Sequence, residues 1–581
     1  MKNIHSICIA LLLGIIIGAI YVYPDVRFIL ESNELYKGIG FTGTSEELSY
    51  LSRVNGIYKG SYNLSDIYLF EHQNDPWFRP FIGEFIIGNI GKILNISITE
   101  LDILMSFILN VILSILIFIF SYQLTKSVKL SIICSFAIMF GYNVFTADII
   151  ILKEIFAWNY SKPLWFLRPI SPQFYYIPFF IALIYTNRAI TPSAKIKDIA
   201  IAGMTLSILF YCNVYYWTFI YAGLGVLLLI FFGINEKKGI SSIIYIYIIS
   251  AIISIPYWIS VFKVVNHPDY KHLQETYMMF NSRKVFLYAP YIVPAIVISI
   301  LLFIYKHKAR FFIISFLIGG IVCLNQQVIS GKTILQQWSF YSNKTFLIIS
   351  IIVSIHLVVN KYLKLYFYKY SNLISNNFYK TILATIVVLF FTSTAFSQQN
   401  NYYHANKKVF LEKQKLSNSY KWLKENTNKT DVILTDPFQD FSDPLTNYRF
   451  LLTYTDNFSY IADEGYMLIS KEEVFYRILS ALFFLGYGEA DIEKYINKLN
   501  QLYKGADPYI GISQPSEDYY ENIRIMYKTL TGRHPLESLE KYKVDYVLIE
   551  NDDRFEKLIG KYSNELITVY KDRYYAVLKI I

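Results

Sequence analysis

Long apolar runs separated by short polar breaks occupy most of the chain before residue 398. Runs at 6–23, 103–125, 129–147, 172–187, 198–213, 214–234, 240–262, 286–305, 310–325, 345–360 and 380–397 are long enough, or nearly so, to cross a bilayer as helices. The pattern predicts a polytopic α-helical membrane domain of about 11 spans, residues 1–397, with one long polar loop at 24–102. No A-x-A-like cleavage site precedes Tyr23-Pro24-Asp25, so the first run reads as an uncleaved span. Residues 81–94 are apolar but too short to span, and read as an interfacial or re-entrant helix.

From 398 to 581 the spacing changes to that of a soluble α/β domain. Helical periodicity covers 409–426, 470–485 and 490–503, while 431–436, 450–455 and 544–550 read as strands. A closing hairpin is expected from 566–570 and 574–580 around Lys571-Asp572-Arg573.

Composition agrees with the membrane reading: 54% of the 581 residues are hydrophobic and 17% charged, with mean hydropathy +0.34. The net charge of +10 does not point to nucleic acid, because Lys and Arg collect in the breaks at 125–129, 187–198, 235–239, 305–310 and 360–380. In an eleven-span count these breaks share one side with the N-terminus, which the positive-inside rule makes cytoplasmic. The acidic 24–102 loop and the tail domain then lie on the opposite, extracytoplasmic side. All four cysteines (Cys8, Cys134, Cys212, Cys323) fall inside apolar runs, so no disulfide framework or CxxC-type metal site is available.

The sharpest chemical signal is residues 44–60, TSEELSYLSRVNGIYKG. Thr44 caps a predicted helix, and Glu47 stands at the capping-box position. On a helical wheel Glu46, Tyr50, Arg53 and Ile57 share a face; Leu48, Leu51, Val54 and Tyr58 lie opposite, with Glu47 near them. Two readings stand side by side for the acids: catalytic or metal-binding carboxylates, or residues favoured at any helix start. Asp25 is either a third acid of the site or the polar end of the first span. Arg168, between Leu167 and Pro169, is held by its flanking prolines at the membrane surface, where it can meet a phosphate or merely snorkel. Arg283 and Lys332 in later loops are further candidate phosphate ligands, with Tyr50 and Arg53 as substrate contacts. His72 reads as a plain surface residue.

Together, the N-terminal span, the acidic first loop, some ten further spans and an external α/β tail resemble the GT-C superfamily of polyprenyl-phosphate-sugar-dependent glycosyltransferases. TSEELSYLSRVNGIYKG is similar to that superfamily's acidic first-loop segment, and RPISPQ, NQQVISGKTIL, WLKENTNKTDVIL and KVDYVLIEN resemble segments of such bacterial membrane proteins. The resemblance implies transfer of a sugar from a polyprenyl-phosphate donor to a glycan, lipid or protein acceptor on the outer face of a bacterial inner membrane. It implies Glu46, Glu47 or Asp25 as base, or a divalent cation (Mg or Mn) held by Glu46 or Glu47. This chain departs from the usual pattern by carrying Glu46-Glu47 where an Asp is customary. A non-catalytic scaffold for polysaccharide assembly and a transporter remain the alternatives, although nearly charge-free spans and the lack of an inverted repeat speak against transport.

Overall fold

The structure, a computed structural model, describes residues 4–42, 44–62, 65, 67–146, 148–277, 279–334, 337–369, 376–437, 447–461, 467–504 and 517–581. Each of the eleven apolar runs lies on a helix or on two helices in succession. Among the described residues, five helices are long and apolar enough to cross a membrane, or six if the bent pair Lys237–Ile253 and Ile255–Val265 counts as one span. Three shorter apolar helices accompany them: Val128–Met139, Ala289–Ile304 and Arg310–Leu324. The chain is thus a multi-pass helical membrane protein with a small C-terminal sheet.

Four helices position the site. α1 (Ile4–Ser32) runs a full turn and more past Asp25, so that residue does not end the helix. α2 (Ser45–Lys59) is the acidic helix predicted from the sequence. Thr44 is its N-cap, and Gly60, at φ +92°, ends it in the left-handed conformation that glycine adopts without strain. α3 (Ile82–Leu94) is the short apolar segment, and α4 (Ile98–Thr125) begins with a complete capping box between Ser97 and Glu100.

α2 is packed against α3, α4 and the tail helix Asn447–Tyr454. Leu48, Leu51, Val54 and Ile57 are all at most 3% exposed. The approach of α3 is close because Gly88 and Gly91 face α2. A Cβ on Gly88 would stand 2.7 Å from the Cβ of Ile57, where no rotamer change relieves the clash. Gly88→Ala is therefore expected to cost about 1–3 kcal/mol, seen as a lower melting temperature of the detergent-solubilised protein; an unchanged melt would place α3 further from α2.

The tail sheet has the order β2-β1-β3-β5-β4, with β1 (Val432–Thr435), β2 (Phe458–Ser459), β3 (Tyr546–Glu550), β4 (Leu566–Lys571) and β5 (Tyr575–Ile580). β1 pairs in parallel with β2 and β3, and the β4–β5 hairpin adds antiparallel through β5 to β3. β1 is buried throughout, which is why its sequence is a run of apolar residues rather than an alternation. Val432 and Leu434 join the tail's own core, whereas Ile433 joins the core shared with the membrane helices.

One predicted strand is corrected. Of residues 450–455, 450–454 belong to the helix Asn447–Tyr454 and Thr455 follows its end; the next strand is the two-residue β2. Phe450, Leu451 and Leu452 are buried on different sides of that helix. An apolar run buried all round carries no period from which helix and strand are told apart. The basic 360–380 break is described only in part, since 370–375 lie outside the described residues.

Candidate active site around α2

Hydrogen bonds fasten α2 to the tail along its length. Asn55 donates to the carbonyls of Leu452 and Thr455 at 3.0 and 2.6 Å, and Thr453 donates back to the Leu48 carbonyl at 3.2 Å. Lys59 donates to the Asn457 carbonyl at 3.2 Å, and from the first loop itself the Tyr68 hydroxyl donates to the Ser49 carbonyl at 3.1 Å. These bonds satisfy groups that burial would otherwise leave unpaired. They also fix how α2 is rotated about its axis, and hence where its two glutamates point.

The glutamates point different ways. The Glu47 N–H donates to Thr44 Oγ1 at 3.3 Å, the first half of the expected capping box. Its side chain, 3% exposed, lies within electrostatic reach of Asp25 on α1, Asp102 on α4 and Tyr402 on the long helix Asn376–Lys413. Three carboxylates from three helices therefore lie near enough to act on one another, and like charges so placed repel. Asp102 is 9% exposed, and its Oδ1 has no hydrogen-bond partner. Asp102 is absent from the sequence-based candidates because it sits at the boundary taken between loop and span. An acid in the first turns of a long apolar helix is the signal that marks it.

Glu46 turns outward to an ion pair with Arg168. Its side chain is 56% exposed, that of Arg168 only 12%. Arg168 is extended, as its position before Pro169 requires, and the chain then winds through Pro169–Phe174 into the helix Tyr175–Ala189. Tyr50 and Tyr341 lie within electrostatic reach of the Arg168 guanidinium. Burial alone would push the Glu46 carboxyl up. Arg168 opposes this, reinforced by Arg79 and Arg449, and together they hold the carboxyl below the usual glutamate range. Arg449 lies in the tail helix, hundreds of positions from Glu46, and no local pattern announces it.

Arg53 shares Glu46's face on the wheel but is 3% exposed and serves a different partner. It forms a buried ion pair with Glu84 on α3 at 3.0 Å and donates to the carbonyls of Arg79 and Pro80, both at 3.4 Å. Arg53 thus positions the stretch that carries Arg79, whose own guanidinium donates to the Tyr277 hydroxyl at 2.8 Å. Arg283 and Lys332 lie where two later loops meet. Lys332 pairs with Asn281 in an isolated antiparallel bridge, and Arg283 donates to the Val328 carbonyl at 2.9 Å.

A second charged network ties the tail to the first loop. His72 faces Asp75 through Nδ1 at 2.6 Å and Glu473 through Nε2 at 3.2 Å, an arrangement in which only the imidazolium donates on both sides. Arg477, with its side chain 2% exposed, bridges Glu473 and Glu71, each at 2.7 Å. His72, expected at the surface, is instead part of this junction, with its side chain 14% exposed. Burial would raise the Glu473 carboxyl, but His72 and Arg477 hold it below the usual range. A depressed carboxylate stabilises the junction above the ordinary glutamate range, and that contribution is lost as pH falls through its lowered value. Glu473→Gln is expected to loosen this contact, seen as faster amide exchange in residues 70–75 and 471–477 at neutral pH and a smaller difference from wild type in acid.

No family model matches the chain, and no curated protein matches it by sequence. Among solved structures it is similar to ArnT from Cupriavidus metallidurans bound to undecaprenyl phosphate, at 9% identity over 100% of this chain and 98% of that one, with a TM-score of 0.43. It is also similar to the archaeal oligosaccharyltransferase AglB from Archaeoglobus fulgidus in complex with an inhibitory peptide and a dolichol-phosphate. There the identity is 11% over 94% of this chain and 70% of that one, with a TM-score of 0.46.

Proposed function

We propose that the protein is a GT-C-type membrane glycosyltransferase that moves a sugar from a polyprenyl-phosphate donor to an envelope glycan, lipid or protein acceptor. The observation that carries this reading is the division of labour across α2: the buried Glu47 within electrostatic reach of Asp25 and Asp102, and the outward Glu46 in an ion pair with Arg168. Glycosyl transfer needs both. The acceptor hydroxyl attacks the anomeric carbon, its proton passes to a carboxylate, and the bond to the phosphate oxygen breaks as Arg168 takes up the charge of the leaving phosphate. Glu47 is proposed as the base, with Asp25 and Asp102 setting its field, and the tail as part of the acceptor's seat.

Among the described residues, no group of three His, Cys, Asp or Glu side chains is arranged to hold a metal ion. The donor set does not fit a resident divalent cation as it stands, so no step is derived through one. The proposed location is a bacterial inner membrane, with the chemistry on the face opposite the basic breaks. The test is the surface glycan profile of cells carrying the wild type, a deletion or Arg168→Ala, with protein levels matched. The proposal expects Arg168→Ala to reproduce the deletion's loss of a glycan; a deletion that leaves every glycan unchanged would overturn it.

A further inference from the structure

Glu46 sits in a setting built for an anion. The Arg168 guanidinium that it contacts is largely buried, while the glutamate lies across its open side with more than half of its own side chain exposed. Arg168 pairs with this carboxylate directly, while Arg79 from the first loop and Arg449 from the tail, each hydrogen-bonded to a tyrosine of its own, lie near enough to add to the positive field. Tyr50 and Tyr341 lie within electrostatic reach of the same guanidinium. A single exposed carboxylate needs no such convergence, since an exposed ion pair adds little to stability. A phosphate does, because it presents several charged oxygens to forked guanidinium donors.

We infer that Glu46 is an internal occupant of a phosphate site, holding Arg168 in place until a phosphate monoester displaces it. In this role Glu46 is a gate on binding and takes no part in proton transfer. The inference rests on the proposed function only for the source of the phosphate, the lipid carrier. The geometry itself requires only that an anion compete with a tethered carboxylate for Arg168. Removing the carboxylate charge then removes the competitor, so affinity rises rather than falls. That sign separates a gate from a ligand.

The test measures binding of farnesyl phosphate and of inorganic phosphate to the purified full-length protein in detergent. Glu46→Gln is expected to bind farnesyl phosphate roughly fivefold to tenfold more tightly than wild type, the effect of losing one partly exposed charge pair. Arg168→Ala is expected to bind it at least about tenfold more weakly, having lost a charge-assisted contact. Glu46→Ser is a second variant with the same expectation, so a folding defect in one does not decide the matter. Tighter binding of farnesyl phosphate alone supports a site for the lipid carrier, and tighter binding of both probes supports a site for the phosphate group by itself. Unchanged or weaker binding in both Glu46 variants overturns the inference. If the variants gain affinity yet the wild type transfers no sugar, the enzyme reading fails and the phosphate site stands. If transfer occurs but neither variant gains affinity, the reverse holds.

Discussion

Glu47→Gln is expected to abolish sugar transfer almost completely, by about 100- to 10,000-fold, the range a positioned general base supplies. The protein should still fold, because glutamine keeps the shape of the side chain and the Glu47 N–H still reaches Thr44 Oγ1. It should also still bind a lipid phosphate, since Arg168 pairs with Glu46 and not with Glu47. Turnover lost with donor binding retained is the signature. It is measured by comparing glycan formation and farnesyl phosphate affinity in the same preparation. Asp25→Asn and Asp102→Asn change the field around Glu47 without removing it, and are expected to shift the pH dependence of transfer as well as its rate. Loss of binding and turnover together in Glu47→Gln would make Glu47 structural.

The second large effect concerns Arg53. Its ion pair with Glu84 is buried on both sides, at 4% and 1% side-chain exposure. Arg53→Met would leave the Glu84 carboxyl without its cation, at a cost of about 3–5 kcal/mol, characteristic of a broken buried pair. Glu84 Oε2 has no hydrogen-bond partner among the described residues, and burial already pushes this carboxyl up, with Arg53 working against it. The double variant Arg53→Met/Glu84→Met should recover most of that loss, because no charge is then stranded. Thermal melts of the three proteins give the answer. A double variant no more stable than Arg53→Met would mean that Arg53's bonds to the Arg79 and Pro80 carbonyls outweigh its pairing with Glu84.

Arg53 also shows where reading the sequence falls short. The helical wheel assumes that α2 has a wet face, and so groups Arg53 with Glu46 and Tyr50. In the fold most of α2 is covered, by α3, α4 and the tail helix Asn447–Tyr454, while Glu46 stays exposed. Rotation about the axis then sorts polar residues among different buried partners instead of turning them all to water. The wheel did separate Glu46 from Glu47, because neighbouring residues on a helix point about 100° apart whatever covers them. The apolar runs were legible for a similarly local reason, as length and hydropathy suffice to mark a helix in a bilayer. Asp102, Arg449 and the partners of His72 were not, since each belongs to the site only through contacts between distant parts of the chain. The 450–455 stretch was misread as strand because burial on all sides erased its period.

Sugar transfer from a lipid phosphate is the chemistry proposed for the site around α2. Its most direct measurement is release of polyprenyl phosphate from a radiolabelled polyprenyl-phosphate sugar by the purified protein in liposomes, with an acceptor-bearing envelope extract. The account predicts label moving into the extract and polyprenyl phosphate appearing in equal amounts with wild type, and neither with Glu47→Gln. Equal transfer by wild type and Glu47→Gln would contradict it.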